Sequence, residues 1–257
     1  KVMTDINTEN DIGQLKAAKT RVYMLDILRG AAVLGMVLHH ALVSFEIIFD
    51  KSFEILYSEA FLLLQLLFVA VFLLVSGICT NYSRSVLKRG LIVLAAALVV
   101  SFATCLVLPA MGFYGLNIYF GILHMIGLSM ILYALLKKWL DKINPPVGIV
   151  LFTVLFIAYY MFYRTGPTGS SYFMMIFGIL PKDIGAYGDY YPLFPYLFLF
   201  LVGTYVGKYI KKGVFPKWFY KKRCVPLELC GKYSLWVYVL HQPVIFGIMY
   251  ALSLIIE

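Results

Sequence analysis

Seven stretches of this 257-residue chain are apolar for about the length a helix needs to cross a bilayer. They run over 24–45, 61–79, 90–110, 118–136, 147–163, 191–210 and 234–256. Few folds can hold them. The spacing predicts an all-α polytopic membrane protein with about seven transmembrane helices. Alternation with a period of two residues is absent, which argues against a transmembrane barrel. The chain is 62% hydrophobic and 14% charged, whereas soluble domains hold roughly 45–50% apolar and 25% charged residues. Its mean hydropathy is +0.86. These values exclude a soluble globular domain and a disordered chain. No internal repeat of the kind that inverted-repeat transporters carry is evident.

The net charge of +9 would suit nucleic-acid binding only if its placement were ignored. Nineteen of the 22 Lys and Arg residues fall in four segments between apolar runs, at 1–29, 80–90, 137–142 and 208–232. The alternate connections hold only Lys51, Arg164 and Lys182. By the positive-inside rule the N-terminus lies inside and the C-terminus outside, and nucleic acid is not an expected partner. A receptor-like bundle has the reverse orientation. Residues 1–20 form a polar cytoplasmic segment, and 21–257 form a single transmembrane domain. The short apolar piece 172–180 reads as interfacial or re-entrant. The four cysteines show no CxxC spacing, so no zinc site or disulfide framework is indicated.

Ionisable residues inside a bilayer are costly, and they usually face a partner or a cavity. The first span reads RVYMLDILRGAAVLGMVLHH over residues 21–40. At 100° per residue, Arg29 and His40 share one face about 16 Å apart along the axis. Asp26 is one turn before Arg29 and can pair with it, and Val33 and Met36 continue the stripe. His39 points about 100° away. An arginine snorkelling to lipid phosphate and a histidine bonded to a neighbouring helix is the plainer alternative. His124, in GILHMIG, and His241, in GKYSLWVYVLHQPV, complete the set of four histidines, all within spans. Pro243 frees the carbonyl of Val239 from its helical partner. A shared polar cavity is the expectation. Arg84, Lys88 and Arg89 and the block 208–223 suit lipid headgroups or a phosphorylated ligand. The connection 164–191 brings Tyr172, Tyr187, Tyr190 and Tyr191 together with Asp183 and Asp189, a composition that suits a sugar but also a membrane interface.

The first-span sequence resembles the first-helix signature of membrane acyltransferases. It is similar to that of the heparan-alpha-glucosaminide N-acetyltransferase catalytic-domain family and the related acyltransferase type 3 group. GILHMIGLSMILY, LFPYLFLFLVGTYVGK and GKYSLWVYVLHQPV resemble later segments of the former. The resemblance implies a multi-pass enzyme of the cell membrane. It would move an acyl group, acetyl in the simplest case, from cytosolic acyl-CoA to a hydroxyl or amine of a sugar-containing acceptor, often across the membrane. Arginine, ten residues and histidine form the type 3 motif, matched by Arg29 and His40, with the histidine as base. On this reading His40 is base or transient acyl carrier, with His124 and His39 as further catalytic candidates, His124 orienting the base or stabilising the oxyanion. Arg29, with Arg84, Arg89 or Lys232, would hold the CoA phosphates, and His241 and Gln242 would line the path between. No metal is expected. The bilayer, acetyl-CoA (or another acyl-CoA) and a glycan acceptor are the expected partners, and a homodimer is a candidate assembly. Heparan itself is not expected as acceptor, since no separate outer domain is evident. Two other readings compete. One is a membrane b-type haem protein using His40, His124 and His241, weakened by the different depth expected for His241. The other is a small transporter or flippase.

Overall fold

The computed structural model describes residues 21–112, 116–182 and 189–256. The polar segment 1–20, Asp183 and Tyr187 lie outside the described residues. Among the described residues, seven helices are long and apolar enough to span a membrane. They are α1 (Tyr23–Phe49), α2 (Glu59–Ile78), α3 (Val86–Phe102), α4 (Ile122–Leu140), α5 (Pro145–Arg164), α6 (Leu193–Lys211) and α8 (Ser234–Ile256). A shorter helix, α7 (Val225–Lys232), precedes the last span. The piece 172–180 forms a 3-10 helix at Tyr172–Phe177, with Tyr172 and Phe173 exposed.

The termini of the spans follow local chemistry. The Ser58 and Ser85 hydroxyls accept from the backbone N–H groups of Phe61 and Lys88, satisfying first-turn donors of α2 and α3. Pro145 and Pro146 open α5, where a missing N–H costs nothing. Beyond Phe102 the chain makes a π-turn over Ala103–Val107. The fourth span begins at Ile122 rather than 118, because Gly121 is extended and pairs with Tyr190 as an antiparallel bridge.

The spans pack α1 on α2, α2 on α6, α3 on α4 and α5 on α6, with α7 and α8 laid against α1. Leu73, Met125, Phe200 and Tyr205 are wholly buried at the centre. In lipid, helices gain from contact close enough to bring backbones together, which small residues allow. A Cβ on Gly77 would stand 2.1 Å from the Phe200 carbonyl oxygen, and one on Gly203 would stand 2.3 Å from that of Leu74. The same device joins α1 to α7. A Cβ on Gly30 would lie 2.0 Å from the Leu227 oxygen, and one on Gly231 would lie 1.9 Å from the Asp26 oxygen.

Three contacts bring the basic segments to one end of the bundle. Lys208 pairs with Asp141 at 3.0 Å. Lys211 donates to the Asn81 carbonyl at 3.1 Å. The Arg223 guanidinium lies 3.6 Å from the centre of the Tyr23 ring.

Candidate functional site

Two helices that meet far apart in sequence build the centre. His40 Nδ1 lies 2.7 Å from His241 Nε2. Sequence sets His241 at a different depth from His40, about two turns from the inner end of its span; the structure instead brings the two rings together. In fact α7 presses Gly231 against Asp26 and Gly30, so α8 starts already inside the bundle. Seven residues of rise from Ser234 then bring His241 level with His40. The signal was present in the spacing of Gly30 and Gly231, but only the crossing gives it meaning.

The hydrogen-bond chain fixes the protons. His241 Nδ1 faces the Tyr238 carbonyl oxygen, which can only accept, so this nitrogen carries hydrogen. With both rings neutral, His241 Nε2 accepts and His40 Nδ1 donates. His40 is left with a bare Nε2, the form a general base requires. The nitrogen–nitrogen contact leaves no room for iron between these rings, since two ligand nitrogens would stand about 4 Å apart. Among the described residues no three His, Cys, Asp or Glu side chains group as a metal site.

His40 opens on a cavity of about 150 Å³. Val33, Met36, His39 and His40 from α1, Phe61, Gln65, Phe68 and Phe72 from α2, and Tyr238 from α8 line it, together with Ile122, Asp189 and Tyr191. Phe61, Ile122 and Tyr191 are at or beside the helix ends opposite the basic segments, so the cavity lies near that end. His39, a further candidate, lines it too despite its 100° offset from His40. The wall on that side is α2, where Gln65 Nε2 is 3.5 Å from His39 Nε2 and 3.4 Å from the Tyr191 hydroxyl. His39 Nδ1 is buried without a partner.

Asp189 closes the cavity near the same end. The Tyr238 hydroxyl donates to its carboxylate, and so does the Ile122 N–H at the start of α4. Burial nevertheless dominates and pushes this carboxyl up to about 7. By sequence Asp189 is only one of two acids in a long connection.

His124 does not join this group. Its Nδ1 accepts from the Gly121 N–H at 3.2 Å, and its Nε2 meets the Ser101 hydroxyl at 3.2 Å. Ser101 in turn donates to the Ile118 carbonyl at 2.6 Å. Both ring nitrogens thus serve to pin the extended strand before α4 against α3, and His124 does not line the cavity. The structure does not bring His124 to the His40–His241 pair, where the role of orienter of the base or oxyanion donor would place it.

The arginines gather at the basic end. Arg29 is largely held by the fold. It pairs with Asp26 at 3.5 Å, donates to the Gly231 carbonyl at 3.3 Å and lies 2.7 Å from Cys79 Sγ. Asp26 also takes Arg21 at 2.7 Å. Arg29 therefore ties α1, α2 and α7 together. Arg89 is exposed and within electrostatic range of Arg29 and Cys79, and Arg84 is exposed nearby in sequence. Lys232 lies 4.9 Å from the centre of the Tyr233 ring. Gln242 keeps a buried Oε1 without a partner and does not line the cavity.

The family model described as "Heparan-alpha-glucosaminide N-acetyltransferase, catalytic" matches residues 21–243. No curated protein and no solved structure matches the chain.

Proposed function

Because the chain belongs to the heparan-alpha-glucosaminide N-acetyltransferase catalytic family of membrane acetyltransferases, we propose that it transfers acetyl from acetyl-CoA to a hydroxyl or amine of a sugar-containing acceptor. The basic end faces the cytosol and receives the donor, while the acceptor meets the cavity near the other end. The observation that carries this reading is the His40–His241 contact of 2.7 Å on the wall of a cavity of about 150 Å³.

An acceptor hydroxyl, or an amine in its ammonium form, is a weak nucleophile until a base takes its proton. His40 Nε2 removes that proton as the acceptor attacks the thioester carbonyl. The tetrahedral intermediate then expels the CoA thiolate, and the imidazolium returns the proton to sulfur. His241 is a positioning residue: it accepts from His40 Nδ1 and so holds the ring in the tautomer that leaves Nε2 bare. The free His39 Nδ1 and the Asp189 carboxyl meet polar groups of the acceptor. Arg89 and Arg84, with Lys232, attract the CoA phosphates, while Arg29 holds the floor on which they act.

Release of CoA thiol by the purified protein in nanodiscs, with radiolabelled acetyl appearing on an amino-sugar acceptor, tests the reading. His40→Ala should lower the rate by about 10²–10⁴-fold, the usual contribution of a general base. Arg89→Ala should raise KM for acetyl-CoA with little change in kcat. A His40→Ala protein that stays folded and turns over at the wild-type rate would refute it.

A further inference from the structure

The cavity has two kinds of wall. Its polar groups cluster at His39, His40, Gln65 and Asp189, and the rest of its lining is hydrocarbon and aromatic. Two lining residues, Leu38 on α1 and Leu64 on α2, are 62% and 42% exposed. Both lie on membrane-spanning helices, so the surface they share faces lipid. At the Asp189 end, contacts among the described residues hold the lining in place. The Tyr238 hydroxyl holds Asp189, Tyr190 bridges to Gly121, and the Tyr190 hydroxyl donates to the Met175 carbonyl at 2.6 Å. An acetyl group has two carbons and no use for so much apolar wall.

We propose that the acceptor is lipid-borne: it enters sideways from the bilayer between α1 and α2, its polar head lying at His40 and Asp189 and its hydrocarbon tail leaving past Leu38 and Leu64. This rests on the acetyltransferase reading and adds the substrate class and the route. Apolar burial makes such a head-and-tail molecule a better ligand than its head alone, and the bilayer supplies it at high local concentration. The wet headgroup region and the polar end of the cavity are then at similar depth, so the head need not cross the hydrocarbon.

The test compares methyl glucosaminide with dodecyl glucosaminide as acceptors for the protein in nanodiscs, following CoA-thiol release and acetylated product. The dodecyl compound should show at least tenfold higher kcat/KM. Leu38→Trp should close the mouth and erase that advantage, and Leu64→Phe should reduce it in a protein with a smaller change in shape. Leu63→Trp, on the same helix but not lining the cavity, should leave both acceptors as they were. Equal kcat/KM for the two acceptors, with acetyl transfer intact, would overturn lateral entry and leave the acetyltransferase reading standing. No CoA release with either would overturn both.

Discussion

Replacing Gly231 with Ala tests how the two histidines are brought together. A Cβ at this position would stand 1.9 Å from the Asp26 carbonyl oxygen. A carbon and an oxygen rest at about 3.3 Å or more, so α7 must move away from α1 by about 1.4 Å. Neither side of the clash is a flexible side chain. The displacement passes through Tyr233 into α8 and reaches His241. The His40–His241 contact of 2.7 Å would then open to about 4 Å, beyond hydrogen-bond range. Overpacking of this kind costs about 1–3 kcal/mol, and a misplacement near 1 Å in a catalytic group costs about 100-fold in rate. Two assays read these separately: thermal survival of the monodisperse peak in size exclusion, and acetyl-CoA turnover in nanodiscs. Gly231→Ala should lower the melting point by several degrees and the turnover by about two orders of magnitude. Gly247→Ala, on α8 with nothing within 4 Å, should do neither. Wild-type turnover in a Gly231→Ala protein would show that the crossing does not set the histidine pair.

Two further outcomes follow from the charges. The Asp189 carboxyl sits at about 7 when folded against 3.8 as a free side chain, so the folded state holds its proton over that interval while the unfolded chain does not. Its contribution to stability is complete below pH 3.8 and is lost as pH rises from there through about 7, a change of about 4 kcal/mol at most; Asp189→Asn should flatten the fall in melting point over that interval, and an unchanged slope would refute the assignment. Single cysteines at Ser52 and Lys212, in a protein with Cys79, Cys105, Cys224 and Cys230 replaced by Ser, should react with an impermeant maleimide from opposite faces of sealed vesicles, Lys212 from the cytosolic one; labelling from one face would reverse the proposed placement of the donor.

The fold is legible in the sequence because lipid demands it. A span must be about 20 apolar residues in helix, whatever it packs against. The relation of Asp26, Arg29 and His40 is legible for a similar reason, since it needs only the 100° turn of one helix. What surrounds them is not. The depth of His241 depends on α7, whose residues read as part of a basic loop and whose glycine matters only where it meets Gly30. His124 looked like a site residue because it is a histidine in an apolar run. Its ring is claimed by the Gly121 N–H and Ser101, through an extended segment that periodicity counted as helix. Asp189 becomes meaningful only through Tyr238, 49 residues away. Local geometry carries the motif, and long-range packing decides which members of it are free to act.

The packing also separates two jobs that the arginine–histidine motif joins on one helix. Arg29 and His40 lie on one helix about 16 Å apart. Arg29 is engaged by Asp26, the Gly231 carbonyl and Cys79, all within the fold. Through Gly231 it holds α7, and α7 sets the level of His241. The arginine thus reaches the base mechanically, by locking the crossing that aligns its partner. A guanidinium suits this better than an ammonium, because its fork can meet a carboxylate, a carbonyl and a sulfur at once in one plane. The spacing between the two residues is then fixed by the distance from the Gly30–Gly231 crossing to His241, as well as by any ligand that runs between them.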